Sequence, residues 1–154
     1  MKTSEIELKE IGHPINVKKW LDAIENEKHI DTFNKEEWIG EHCYEIWYKK
    51  GLVGFISYSR WNENDYCLSS IYIYEWFRHK GIATAAIRKL EYALKNRAKT
   101  FYGFVHKDNK YAIQTYLKLE FRFLNKDKTG YVIDTPNKNN SAMVEYFYEF
   151  GKIF

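Results

Sequence analysis

Ile71-Tyr72-Ile73-Tyr74-Glu75-Trp76-Phe77-Arg78-His79-Lys80-Gly81-Ile82-Ala83 is the stretch on which the reading of this chain turns. It continues an apolar run, Leu68 to Tyr74, that reads as a strand, and it leads into Thr84 to Lys99, which reads as a helix. Between them stand three potential cations, Arg78, His79 and Lys80. A helix start carries partial positive charge, so cations there are unfavourable unless an anion joins them. A solvated basic turn is the ordinary reading of such a tripeptide. The neighbours argue otherwise. Ala83, Ile87, Leu90 and Leu94 fall at i, i+4, i+7 and i+11 and line one apolar face. Glu91 precedes Lys95 by four residues, a favourable ion-pair spacing, and Lys95, Arg97 and Lys99 give the helix end the charge its dipole wants. The helix thus obeys the dipole rule at its end and breaks it at its start. Free backbone N–H groups, a glycine that permits close approach and flanking cations describe a phosphate seat.

Working outward, Phe101 to Val105 reads as a strand, and Asp108-Asn109 offers an N-cap to a helix over Tyr111 to Leu119. Ala112/Tyr116 and Ile113/Leu117 pair there at i,i+4. Phe121 to Leu124 starts a strand, Lys126 to Gly130 turns, and Tyr131 to Ile133 returns. Thr135 to Ser141 is polar and contains Pro136, and Met143 to Tyr148 is expected as the final strand. Upstream, Ile6 to Ile11 alternates as a first strand. Val17, Trp20, Leu21 and Ile24 have helical spacing, and a short helix around Lys35 to Ile39 is one reading of an ambiguous segment. Tyr44 to Tyr48, the turn Lys49-Lys50-Gly51 and Leu52 to Tyr58 form a hairpin; after a polar connection, Tyr66 to Tyr74 is the next antiparallel strand.

The 154 residues make one domain, 1–154, with room for a real core. With 24 basic residues against 21 acidic ones there is no single-sign field, which argues against a nucleic-acid binder. No apolar run approaches a membrane span, and MKTSEIELKEIG has no signal-peptide core, so a cytoplasmic protein is expected. Cys43 and Cys67 sit inside strands and read as reduced thiols, with no metal site implied. The 13 Tyr, 10 Phe and 5 Trp suit strands and carry no functional weight by number alone.

Two motifs carry a resemblance. Arg78-x-x-Gly81-x-Ala83, within the long strand-turn-helix run, fits a Q/R-x-x-G-x-G/A pattern. Val105-x-x-x-Asn109-x-x-Ala112-x-x-x-Tyr116-x-Lys118-x-x-Phe121 looks like a "V…N..A…Y.K.GF" run. In this order, with a helix and a strand between them, they resemble the GNAT superfamily of acyl-CoA-dependent N-acetyltransferases over roughly residues 44 to 124. The resemblance implies an α/β (α+β) fold with a central mixed, mostly antiparallel sheet of about six to seven strands flanked by helices. Three departures stand out. Glu120 replaces the usual glycine before Phe121, so a left-handed residue there would cost on the order of 1 kcal/mol, and a different helix end is expected. Glu75 replaces a proline, which puts the local strand bend in doubt. His79 replaces a common glycine but keeps its N–H.

The resemblance also implies chemistry. Acetyl-CoA would be the co-substrate, with its pyrophosphate on the backbone amides of His79, Lys80, Gly81, Ile82, Ala83 and Thr84, and with charge from Arg78 and Lys80. Ile71 and Ile73 would bond the pantetheine arm where their strand splays from the next. The Ile73 N–H would polarise the thioester carbonyl, and one such donor is worth about 3 kcal/mol. Asn109 would cap its helix and reach the arm, and Tyr116 would be the general acid to the departing thiolate. Asp65, Glu63, Glu75 and His106 are candidates for the base, each more readily explained as solvated charge. Trp47, Trp61 and Tyr72 are candidate acceptor-cleft walls; Glu41, Glu45 or Asp65 would attract an amine. The expected function is N-acetyl transfer to an unidentified small-molecule or protein amine by direct attack. The alternative is a catalytically silent acyl-CoA-binding or interaction module on the same fold. The last strand could pair across a homodimer.

Overall fold

The computed structural model describes residues 1–12, 18–25, 39–123 and 147–154. These residues form one seven-stranded sheet with three α-helices. In chain order the elements are β1 (Ile6–Glu10), α1 (Lys18–Glu25), β2 (His42–Tyr48), β3 (Gly51–Arg60), β4 (Asp65–Ile73), α2 (Ile82–Leu94), β5 (Thr100–His106), α3 (Lys110–Lys118), β6 (Arg122–Phe123) and β7 (Phe147–Ile153). The strand order is β1-β2-β3-β4-β5-β7-β6, antiparallel throughout except for the parallel pair β4–β5. The expected turns and strands over residues 126–141, the short helix over residues 35–38, and residues 143–146 of the expected last strand lie outside the described residues.

Alternation along the strands sends apolar side chains to two cores. Ile56 and Tyr58 of β3 join Leu68, Ile87, Leu90, Phe101 and Phe150 beneath α2 and α3. Phe55, one residue away and so on the opposite face, packs with Trp20 and Ile24 of α1 and with Cys43. Trp20 stacks on Phe55 with ring centroids 5.6 Å apart. α2 buries Ile82, Ala85, Ala86, Ile87, Leu90 and Leu94. At about 1.5–3 kcal/mol for each large side chain, that burial outweighs the weak helix propensity of Thr84 and the isoleucines.

Several boundaries differ from the sequence expectation. α2 starts two residues earlier, because Gly81 at φ +82° is already its N-cap, and it ends at Leu94 rather than Lys99. Glu91 does not pair with Lys95; its carboxylate lies 2.8 Å from Lys152 Nζ on β7, while Lys95 Nζ sits 4.3 Å above the Tyr92 ring. Tertiary contact displaces the local i,i+4 pair. The β2–β3 turn is only Lys49 and Lys50, both at positive φ (49° and 64°), and Gly51 opens β3 opposite Tyr48. β7 runs to Ile153, beyond the expected Tyr148. It lies between β5 and β6, with Phe150 and Gly151 paired on both sides, so over that stretch it has no free edge for a second copy.

Candidate functional site

β4 and β5 pair only from Asp65 opposite Thr100 to Leu68 opposite Gly103. Beyond that point β4 stays with β3 as far as Ile73, β5 stays with β7 as far as His106, and a cleft opens between them. The cause is local. Leu68 pairs Tyr58 and Ser70 pairs Ser57, so Ser69 is the extra residue of a bulge, which bends β4 just where it leaves β5. Hydroxyls satisfy the disturbed region: Ser57 Oγ lies 2.5 Å from Ser70 Oγ and accepts the Gly40 N–H at 3.0 Å, while Ser69 Oγ donates to Ser59 Oγ at 3.3 Å. Gly103 sits at the apex, where a Cβ would come within 2.5 Å of Phe150 Cζ and 3.0 Å of the Leu68 carbonyl oxygen. The bend therefore does not depend on a proline at position 75. Tyr74 donates its N–H to the Val53 carbonyl of β3 at 2.9 Å. Amides alternate in direction along a strand, so those of Ile71 and Ile73 point away from β3 and into the cleft.

At the end of β4 a turn of 3₁₀ helix, Glu75–Phe77, leads to the basic turn. Arg78 folds back, its Nε donating to the Ile73 carbonyl at 2.8 Å and its guanidinium lying 5.3 Å from the centre of the Tyr72 ring. His79 (φ 66°) and Gly81 (φ 82°) both adopt left-handed backbone. The first α2 hydrogen bond runs from Ala85 N–H to the Gly81 carbonyl at 3.0 Å. The amides of Ile82, Ala83 and Thr84 therefore face out of the helix end without intrahelical acceptors.

α3 begins at Asn109, whose Oδ1 accepts the Ala112 N–H at 3.2 Å. Tyr116 is buried, stacked on Phe150 with centroids 3.9 Å apart and meeting Phe121 edge-on at 5.8 Å. The expectation that this helix ends differently is overturned. Glu120 takes the left-handed position with φ 68°, Glu120 N–H bonds the Leu117 carbonyl at 3.0 Å, and Phe121 N–H bonds the Tyr116 carbonyl at 3.0 Å. This is a Schellman ending, completed by the Phe121–Tyr116 ring contact. Glu120→Gly should raise unfolding stability by about 1 kcal/mol, read as a higher urea midpoint with unchanged slope. A lower midpoint would show that the Glu120 side chain contributes more than its backbone conformation costs.

The cleft encloses about 510 Å³. Ile71, Ile73, Arg78, His79, Gly81, Ala83, Thr84, Asn109 and Tyr116 all line it. Two expected cofactor residues do not: Lys80 is exposed with Nζ 5.8 Å from the Phe77 ring centre, and the Ile82 side chain is in the core, leaving only its amide. The far end is walled by Ile24, Tyr72, Phe104 and Phe147, of which only Tyr72 was anticipated. Glu63 and Asp65 lie at the opposite end of β4, where Asp65 accepts from Thr100 Oγ1 at 2.5 Å and Asn62 Nδ2 at 2.7 Å. Trp61 is exposed at that same end, and Trp47 lies under Lys9 on β2, 4.1 Å from its Nζ. Glu41 and Glu75 are exposed, and Glu45 pairs with Lys19 at 3.0 Å. None of these lines the cleft. His106 does, but its Nδ1 accepts the Asp108 N–H at 3.1 Å, so the neutral ring carries its proton on Nε2. Among the described residues no group of His, Cys, Asp and Glu could hold a metal ion, and no helix is long and apolar enough to cross a membrane.

Burial raises the Tyr116 phenol above its ordinary value, with the nearby Cys67 adding to the shift, so it stays a protonated donor at neutral pH. Loss of hydration likewise pushes the Cys67 thiol up to about 12 and the Cys43 thiol to about 11, which leaves neither a nucleophile near pH 7. Tyr44 is raised to about 12, again chiefly by burial, and Tyr102 is raised for the same first reason. All five groups are neutral when protonated, and the unfolded chain ionises them more readily than the native one. Their stabilisation is complete below about pH 9 and is lost as pH climbs towards 12. The urea midpoint should be level between pH 7 and about 8.5 and fall steeply above pH 10. Equal midpoints at pH 8 and pH 11 would contradict these burial assignments.

A sequence model described as the acetyltransferase (GNAT) family matches residues 12–121. A search of curated proteins finds no match. Among solved structures, a GNAT family acetyltransferase from Elizabethkingia anophelis with acetyl-CoA bound superposes with a TM-score of 0.67 at 14% identity, covering 97% of this chain and 99% of that one. A Bacillus subtilis acetyltransferase in complex with CoA gives 0.63 at 16% identity, covering 97% and 98%. The Campylobacter jejuni N-acetyltransferase PseH in complex with acetyl coenzyme A gives 0.58 at 17% identity, covering 96% and 98%.

Proposed function

The chain belongs to the GNAT acetyltransferase family, and from that premise we propose that it transfers the acetyl group of acetyl-CoA to an amine of a small molecule or protein by direct attack. One observation carries the proposal. The cleft between β4 and β5 has a ring of unshared amides at one end and the neutral Tyr116 phenol in its wall. The amides from His79 to Thr84 hold the pyrophosphate at the helix start, where the dipole favours negative charge. The inward amides of Ile71 and Ile73 fix the pantetheine arm, and the Ile73 N–H stabilises the oxyanion as the amine adds to the thioester carbon. Arg78 has a second task, since its bond to the Ile73 carbonyl fixes the strand end that aims this amide. Collapse of the intermediate breaks the C–S bond, Tyr116 gives its proton to the sulfur, and the proton lost by the newly acylated amine passes through water to restore the phenol.

Asn109 lies in the cleft wall with its Oδ1 engaged by its own helix, which leaves its amide nitrogen for the arm. Steady-state thiol release from acetyl-CoA over a panel of amines tests the proposal. Amine-dependent release that saturates with acetyl-CoA is the expected result. Calorimetric CoA binding without release for any amine would favour the silent acyl-CoA-binding module instead.

A further inference from the structure

Lys118 belongs to the second sequence motif, and the acetyl-transfer chemistry leaves it without a task. It lines two depressions at once. Beyond it the cleft continues into a groove of about 420 Å³ between the C-terminal parts of α2 and α3 and the end of β7. Arg88, Lys95, Lys118 and Lys152 stand there against Glu91 and Glu120. Lys152 is neutralised by Glu91 at 2.8 Å, and Lys95 lies over Tyr92. Arg88 and Lys118 are the exposed cations left on the two helical walls. Lys118 in the last turn of α3 also suits the helix dipole, but Arg88 in the middle of α2 has no such explanation.

The spacing fits a ligand that continues from the helix start. Thr84 and Arg88 are four residues apart on one face of α2, about 6 Å along its axis. Tyr111, Thr115 and Lys118 form the matching stripe on α3, at i, i+4 and i+7. A nucleotide whose pyrophosphate sits on the α2 amides would place its ribose over that one-turn interval. We propose that Arg88 and Lys118 seat the ribose 3′-phosphate of coenzyme A, so that the protein distinguishes CoA from 3′-dephospho-CoA. A phosphate monoester carries close to two negative charges at neutral pH, a strong partner for a guanidinium and an ammonium. The inference rests on the proposed use of acetyl-CoA.

Calorimetry with CoA and 3′-dephospho-CoA tests it on the unaltered protein and on the Arg88→Gln/Lys118→Gln double variant. The unaltered protein should bind CoA about five- to tenfold more tightly than 3′-dephospho-CoA, as expected for two exposed charge pairs. The double variant should bind both ligands alike, at the unaltered protein's affinity for 3′-dephospho-CoA. Equal affinities in the unaltered protein overturn the proposal, as does a double variant that weakens both ligands by the same factor. Tight CoA binding without discrimination would sink this assignment alone; binding of neither ligand would sink the acetyl-CoA reading with it.

Discussion

Tyr116→Phe should lower kcat by about a hundredfold while leaving CoA affinity within about twofold. The substitution removes one oxygen and keeps the ring that stacks on Phe150 and Phe121, so the fold and the cleft wall persist. General acids contribute roughly 10²–10⁴-fold. The lower end is expected here because a thiol ionises near pH 8.5, which makes the thiolate a fairly good leaving group without help. Burial holds the Tyr116 phenol above its ordinary value, so the acid is present across the whole neutral range and no activity is lost through its ionisation below about pH 10. Steady-state and single-turnover rates of thiol release check this. Equal turnover of the two proteins, with chemistry limiting, would remove Tyr116 from the mechanism.

Gly81→Val should weaken CoA binding by about a hundredfold and also destabilise the protein. Gly81 has φ +82°, where a β-branched residue costs about 1–2 kcal/mol, and its Cβ would meet Met1 Cβ at 3.2 Å. If the turn flips to relieve that strain, the amides from Gly81 to Thr84 turn away from the anion. Losing two charge-assisted hydrogen bonds of about 1.5 kcal/mol each accounts for the hundredfold. Lys80→Ala is the contrast. Its side chain is exposed beside Phe77 and outside the cleft, so a change below about threefold is expected, as for a surface charge. Calorimetry on both variants separates backbone from side chain. A larger loss from Lys80→Ala than from Gly81→Val would reverse that order.

The half of the candidate site built from contiguous residues has local structure that the sequence makes legible. Gly81 at a helix start and Asn109 as an N-cap are local features, and the structure puts both where spacing and residue type predict. The opening of the cleft was expected only through the resemblance, because its cause is not local. It needs the Ser69 bulge, the close approach at Gly103 and a parallel partner strand thirty-odd positions downstream. The Ser69-Ser70 pair interrupting an apolar strand was the available signal. Asp65 and Glu63 look like site carboxylates in sequence only because nothing there says which end of β4 opens; the structure opens the other end. Phe104 and Phe147 face the cleft through the β5–β7 register, which no short motif encodes. Glu120 departs from the sequence expectation for a physical reason. A penalty of about 1 kcal/mol suggested a different helix end, yet two backbone hydrogen bonds and the Tyr116–Phe121 contact hold the left-handed one.

A crystal structure of the protein with CoA would show where the nucleotide, the arm and the sulfur lie. The expected result is the pyrophosphate on the amides from His79 to Thr84, the pantetheine arm between β4 and β5, and the sulfur within about 3 Å of the Tyr116 hydroxyl or one water away. A pyrophosphate bound elsewhere, or a sulfur that leaves Tyr116 out of reach, would contradict it.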